Sequence, residues 1–396
     1  MNPTILTAVQ DVRAVEFPHL DECTFLNAAS FGPLPRRTRA AVEGMLRMRE
    51  EQPGRFAEFD FVEALERCRR AAASLIGASS HEIALGPNTS FGLYLAASLL
   101  PQACRVDGRA PQETTILVSD REFPANVLPW MGLRRLGFRL EIATTDERGF
   151  PREEALVERV GRGDVALLAV SSVQFASGYR SDLRRLGAAC REAGTLFVVD
   201  AIQSAGALPI DVRACSIDIL ACGGQKWLCA PQGSGFAYVR RELCARLEPP
   251  LRGWLAVTSS EDFGSLLDYD APLFDDARRF ELGSPAIQDQ LALAHSIELL
   301  LEVGVDNIEA HTREILEPLH EWIGAAARAR LASPAPGAAA SPITCVALPE
   351  PDAAFERLAR ARVVCALREG VLRFSPHLYN TRDEIDALVR ILDEVA

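Results

Sequence analysis

Between residues 113 and 242 the chain alternates short apolar runs with amphipathic stretches, a pattern that few architectures accept. ETTILVSD (113–120), FRLEIATT (138–145), DVALLAVSSVQF (164–175), GTLFVVDAIQSAG (194–206), IDILACGG (217–224) and GSGFAYVRRE (233–242) read as six strands. Their apolar residues are near-continuous rather than alternating, which places both faces of the sheet in the interior. The intervening stretches carry helical spacing. NVLPWMGLRRLG spans 126–137, and EEALVERVGR sets Ala155, Leu156 and Val160 in helical register. SDLRRLGAACREAG gathers Leu183, Leu186 and Cys190 on one face, with Ser181 or Asp182 as its N-cap. The expected fold class is α/β, a doubly wound, mostly parallel sheet of about seven strands with helices on both faces.

The pattern changes after Pro249. EPPLRGWLAVTSSEDFGSLLDYDAP is rich in turn residues and reads as an irregular crossing. A long helix starts near Ser284-Pro285 and ends at Gly304, and a second is expected over 305–330. After the low-complexity loop SPAPGAAASP (333–342), ITCVALP, AAFERLARA, VVCAL, VLRFSP and RDEIDALVRILDEV make a small C-terminal α+β unit. The expected division is an N-terminal segment, 1–35, packed on the small domain, a large domain over 36–262 and a small domain over 263–396.

The 396 residues suffice for such a pair, and 48% hydrophobic with 24% charged residues is a globular composition. A net charge of −12 without long single-sign blocks argues against non-specific binding to nucleic acid or an anionic membrane surface. No apolar run approaches the ~20 residues that span a bilayer. The first residues, MNPTILTAVQDVRAVEF, lack the apolar core of a secretion signal, so a cytoplasmic location is expected. The ten cysteines show neither a CxxC pair nor a Cys/His metal spacing, and no metal is expected.

Chemistry concentrates at strand ends, where doubly wound sheets bind ligands. LFVVD ends in Asp200, and the next strand leads into Gln225-Lys226. An acid and a lysine projecting into one crevice are what pyridoxal 5′-phosphate (PLP) requires. The lysine forms an imine with the cofactor aldehyde, and the carboxylate keeps the pyridine nitrogen protonated. Gln203 could donate to the ring phenolate. In GPNTSFGLYLAASLL (86–100), Asn88, Thr89 and Ser90 open an apolar helix whose N-terminus favours phosphate. Phe123, in DREFPANVLPW, offers a ring to stack on the pyridine, its alternative being plain core. No GxGxxG follows a first strand, which disfavours a nucleotide-dependent dehydrogenase.

From FLNAASFGPLP (25–35) to LRFSPHLYNTRDEID (372–386) the sequence resembles the class V aminotransferases, the fold-type-I PLP group that includes cysteine desulfurases and kynureninase. VVDAIQSAGALPIDV followed by GGQKWLCAPQGSGFAYVR carries the resemblance most specifically. It implies Lys226 as the imine lysine, Asp200 as the pyridinium partner and Gln203 as the phenolate partner. It places Thr89 and Ser90 in the phosphate turn, Phe123 in the stacking position and Ser172 near the ring. Gln225 stands where desulfurases have histidine, and Gly223 stands within the segment where a phosphate-binding serine is common. Ser284 is expected to reach a phosphate, a homodimer interface being one route to it. Arg373 matches the arginine that pairs with a substrate α-carboxylate, a task suited to a bidentate guanidinium. Arg368 and Asn27 are further substrate contacts, their alternatives being a solvated strand end and a turn residue.

The segment between Leu367 and Val371 is only a short turn, without the cysteine-bearing loop of desulfurases. Sulfur transfer through a protein persulfide is therefore not expected. The leading expectation is a lyase-type reaction at Cβ of a small amino acid, begun by loss of the Cα proton to Lys226. Transamination and epimerisation are the alternatives within the class, and a degenerate PLP-binding protein is the alternative outside it.

Overall fold

The computed structural model describes residues 12–394; residues 1–11, part of the stretch read against a secretion signal, lie outside the described residues. The central sheet has seven strands: β2 (Ile83–Gly86), β3 (Thr115–Ser119), β4 (Arg139–Ala143), β5 (Val165–Ser171), β6 (Leu196–Asp200), β7 (Ile219–Gly223) and β8 (Gly235–Val239). Their order is β2-β8-β7-β6-β5-β3-β4, and only β8 runs against its neighbours. All of these strands except β4 are buried along their whole length or nearly so, as their apolar runs require.

All six strands read from the sequence are present. The seventh, β2, escapes a sequence reading because only four residues, Ile-Ala-Leu-Gly, pair with β8. The stretch at 126–137 is no single helix. It breaks into a 3₁₀ turn at Pro124–Asn126, a helix at Leu128–Leu133 and a second 3₁₀ turn at Arg134–Leu136. The helix expected over 305–330 divides into Val305–Ile315 and Glu317–Ala325, with Pro318 opening the second piece.

The helix Thr89–Val106 lies on β7 and β8. Gly92 lets it approach: a Cβ there would come within 2.6 Å of the Ala221 Cβ. This close packing brings the helix N-terminus to the C-terminal end of β7. A second, four-stranded sheet has the order β12-β13-β10-β9 and is built from β9 (Arg330–Leu331), β10 (Thr344–Ala347), β12 (Ala366–Arg368) and β13 (Val371–Phe374). It is antiparallel throughout. Near the N-terminus, β1 (Thr24–Phe25) pairs in parallel with β11 (Val363–Val364), and Asn27 bridges to Ser375. The chain's early and late residues are thereby knitted together beside the large sheet. Among the described residues no helix is long and apolar enough to cross a membrane.

His377 fastens this seam. Its imidazole is wholly buried, 5.3 Å from the Trp227 ring and 5.7 Å from that of Tyr379. Nε2 lies 2.8 Å from the Trp227 carbonyl, which can only accept, so Nε2 carries the proton. Nδ1 has no partner among the described residues, and burial holds the imidazole pKa down at about 4. Below about pH 6.5 the unfolded chain binds a proton that the folded one refuses until about pH 4. Stability linked to His377 is therefore lost as pH falls through that window, by at most about 3 kcal/mol. Urea midpoints recorded from pH 7 to 4 should fall more steeply for the wild type than for His377→Gln. Parallel curves would contradict this account.

Candidate active site

β6 and β7 are parallel neighbours, with Asp200 opposite Ala221. The residues that follow them emerge at one edge of the sheet, which brings Asp200 and Lys226 together. The Asp200 carboxyl is buried and accepts one hydrogen bond among the described residues, from the Ile202 N–H at 3.0 Å. Burial pushes its pKa up to about 6, against the pull of that hydrogen bond and of Lys226. Burial likewise brings Lys226 down to about 8; Asp200 opposes this and Arg373 adds to it. The two groups feel each other without closing to an ion pair. Opposite charges withdrawn from water normally pair, and among the described residues these two do not. The Phe123 ring centroid lies 5.6 Å from Lys226 Nζ. Phe123 is 44% exposed, so it is not plain core.

The lysine loop is pinned by its backbone. The Gly32 N–H donates to the Gln225 carbonyl at 2.8 Å, and a Cβ on Gly32 would lie 2.2 Å from the Lys226 carbonyl oxygen. On the other side Asn88 caps the helix Thr89–Val106 by accepting from the Phe91 N–H at 3.1 Å. The Gly223 N–H donates to Thr89 Oγ1 at 3.0 Å. A Cβ on Gly223 would come within 2.5 Å of Gln225 Oε1 and 3.3 Å of the Thr89 nitrogen. Glycine at this strand end therefore lets Thr89, the half-buried Ser90 and Gln225 crowd around a helix N-terminus suited to an anion.

Arg373, on β13, is almost wholly buried, with no carboxylate partner among the described residues. Nη1 donates to the Phe175 carbonyl at 2.6 Å, Nη2 to Ser30 Oγ at 2.8 Å, and Nε has no partner among the described residues. Burial lowers its pKa to about 10, and the charge of Arg368 adds to the effect. Asn27 Oδ1 is also buried without a partner among the described residues. Arg368 is exposed, its side chain hydrogen-bonded to the Leu367 carbonyl, and its charge reaches both Lys226 and Arg373. β12 and β13 are joined by Glu369 and Gly370 alone, both at positive φ, 48° and 77°. Such a two-residue hairpin has no room for a catalytic loop.

A family model described as Aminotransferase class-V matches residues 55–388. The chain belongs to the class V aminotransferase family. It is 30% identical to the uncharacterized aminotransferase YcbU of Bacillus subtilis, over 85% of this chain and 84% of that one. It is 28% identical to a probable cysteine desulfurase of Methanothermobacter thermautotrophicus, over 99% of each. Its fold superposes on the apo cysteine desulfurase of Thermococcus onnurineus NA1 with a TM-score of 0.84, at 24% identity and over 97% of each chain. Like the other class V aminotransferases, it is an enzyme that uses PLP.

Three residues expected at this class V site are differently engaged. The Gln203 side chain donates to the Ala29 carbonyl at 3.0 Å and accepts from Trp227 Nε1 at 2.9 Å, leaving one amide hydrogen for a ligand. The Ser172 hydroxyl is committed to the Asp200 carbonyl and, at 2.5 Å, to Ser204 Oγ. Ser172 lines a separate cavity of about 680 Å³ that Lys226 does not border. Ser284 is exposed ahead of the helix Ile287–Val303 and makes no hydrogen bond to the other candidates among the described residues. Conversely, Glu122 went unread. It is wholly buried beside Phe123, and burial raises its pKa to about 7, with Asp200 adding to the effect. In the sequence it stands among Asp120 and Arg121 as one more charge after a strand, and no local signal separates it from them.

Acylation of Lys226 in cofactor-free protein, followed by peptide mass spectrometry, should become half-maximal near pH 8. Removal of the nearby negative charge by Asp200→Asn should shift the midpoint lower. A midpoint near the ordinary lysine value of 10.5 would contradict the burial described here.

Proposed function

We propose that Lys226 Nζ would hold the PLP aldehyde covalently, and that the same amine, freed when a substrate amino group takes its place, moves the Cα proton of an amino acid whose carboxylate Arg373 holds. The carrying observation is the buried Asp200 and the half-buried Lys226, not joined in an ion pair, beside a buried guanidinium with no carboxylate partner among the described residues. Asp200 holds a proton on the pyridine nitrogen. Thr89, Ser90 and the backbone around Gly223 and Gln225 bind the phosphate, and Ser284 joins them only if a second copy brings it there. Phe123 covers one face of the ring, and the free amide hydrogen of Gln203 reaches the phenolate. When bound, the cofactor supplies a sink for the electron pair left at Cα as a bond there breaks. A lysine at about 8 carries a neutral amine on roughly a tenth of molecules at pH 7, enough to accept a proton at once. Arg373 fixes the carboxylate, with Asn27 and Arg368 at its flanks, and so presents the Cα–H to Nζ.

The reaction we favour is cleavage at Cβ, a lyase-type step on a small amino acid, supported by similarity to a probable cysteine desulfurase along the whole chain. The two-residue hairpin at Glu369-Gly370 speaks against a protein-bound persulfide. Transamination is the second reading, supported by 30% identity to an uncharacterized aminotransferase. A homodimer fits the row of exposed apolar residues at Leu251, Phe263, Leu267 and Tyr269. A cytoplasmic location fits ten unpaired cysteines. The boundary between domains lies nearer 304 than 262 in this reading, because the helix Ile287–Val303 shares its core with Ile76 and Leu220.

Lys226→Ala should abolish turnover, a loss on the order of a hundredfold or more, and remove the visible absorbance of the lysine-bound cofactor. Arg373→Ala should raise KM at least tenfold, with partial rescue by lysine. Release of a cleaved product with the visible spectrum restored supports the lyase. Conversion to the amine form that only a keto acid reverses supports the transaminase. A protein with no visible band after incubation with PLP would overturn the proposal.

A further inference from the structure

Beyond β3 the chain turns through Arg121, at φ 60°, and buries Glu122 beside Phe123. Four donors converge on its carboxyl. Oε1 accepts from the Ser171 N–H at 2.9 Å and from Gln174 Nε2 at 3.0 Å. Oε2 accepts from Asn126 Nδ2 at 3.0 Å and from the Ser171 hydroxyl. A carboxylate accepts about four hydrogen bonds, so every position is filled, and the partners come from both sides of the site. Asn126 belongs to the turn that carries Phe123, whereas Ser171 and Gln174 belong to the end of β5 and the segment after it.

That segment is where the two halves of the site meet. The Phe175 ring stands edge-on to Phe123, with centroids 5.3 Å apart and an interplanar angle of 82°. Its carbonyl accepts from Arg373 Nη1 at 2.6 Å, and the Ala176 carbonyl accepts from Cys345 Sγ at 3.1 Å. Arg373 thus takes its bearing from a carbonyl one residue beyond the side chain that Glu122 grips.

We propose that Glu122 is a positioning residue that holds segment 171–176, and through the Phe175 carbonyl fixes the Arg373 guanidinium for the substrate carboxylate. The inference rests on the reading of Arg373 given above. Nothing requires Glu122 to touch substrate or cofactor. Its carboxylate is the one acceptor that the Ser171, Gln174 and Asn126 donors share, and a buried donor left without an acceptor shifts or opens the segment that bears it.

Glu122→Gln keeps the shape but replaces one acceptor oxygen with an amide NH₂, which the Ser171 N–H cannot meet and which Asn126 or Gln174 can meet only by turning its own amide over. It should raise KM for the amino acid about tenfold and leave kcat within about threefold, since a carboxylate clamp acts equally on bound substrate and transition state. In the cofactor-free protein, amide hydrogen exchange across 172–176 should quicken while the helix Thr89–Val106 exchanges as before. Gln174→Leu, which severs one tie and retains Glu122, should shift both quantities in the same direction by less, and serves if the first variant folds poorly. If Arg373→Ala raises KM while Glu122→Gln changes neither KM nor exchange, the positioning role is overturned and the reading of Arg373 stands. Faster exchange throughout the chain with KM unchanged makes Glu122 merely structural and overturns it as well. If Arg373→Ala leaves KM unchanged, the carboxylate reading falls, and unchanged exchange at 172–176 in Glu122→Gln then overturns the proposal independently.

Discussion

A buried carboxylate and a half-buried ammonium, near enough to shift each other's titration yet not joined in an ion pair, are the constraint on which the site depends. An isolated buried carboxylate or ammonium is costly, and pairing is the ordinary remedy. Asp200 and Lys226 forgo it because each is held by its own strand end: Asp200 by β6 and the Ile202 N–H, Lys226 by a loop trapped between Gly32 and His377. Both drift toward neutrality, the acid upward and the amine downward. The second sheet, the paired early and late segments and the buried aromatic cluster around His377 all serve to keep that loop from relaxing. The Arg373 guanidinium, bonded to a carbonyl and a hydroxyl but to no carboxylate among the described residues, is the third member of the same unbalanced set, so an anionic amino acid bound to a PLP ring would complete what the protein leaves incomplete.

The large sheet was legible because parallel strands buried on both faces write unbroken apolar runs, and Asp200 and Lys226 were legible because each interrupts such a run at its end. Elements whose identity depends on partners were not. β2 is four residues long and is defined by its pairing with β8. Ser171 and Ser172 show the limit of register. They are adjacent and chemically identical, yet alternate side chains leave opposite faces of a strand. Ser171 turns to Glu122 and Ser172 to Ser204, and composition does not say which is which. Glu122 was hidden for the same reason, because only the donors arriving from β5 distinguish a buried acceptor from a solvated charge.

In this chain Phe123 lies beside the lysine, Gln225 precedes it, and the two-residue hairpin at Glu369-Gly370 leaves no room for a longer loop. Neither a phenyl ring nor an amide titrates, so in the reading proposed above the proton chemistry falls to the lysine.

The hydrogen-bond partners of Arg373 come from residues 30 and 175, and the lysine loop is closed by residues 32 and 377. No contiguous stretch of the chain contains the site. During synthesis the lysine-bearing strand leaves the ribosome well before the residues that desolvate it, and until they arrive Nζ is an ordinary protonated surface amine. The reactivity of this lysine is thus a property of the finished molecule, and a nascent or truncated chain carries the same residue without its chemistry.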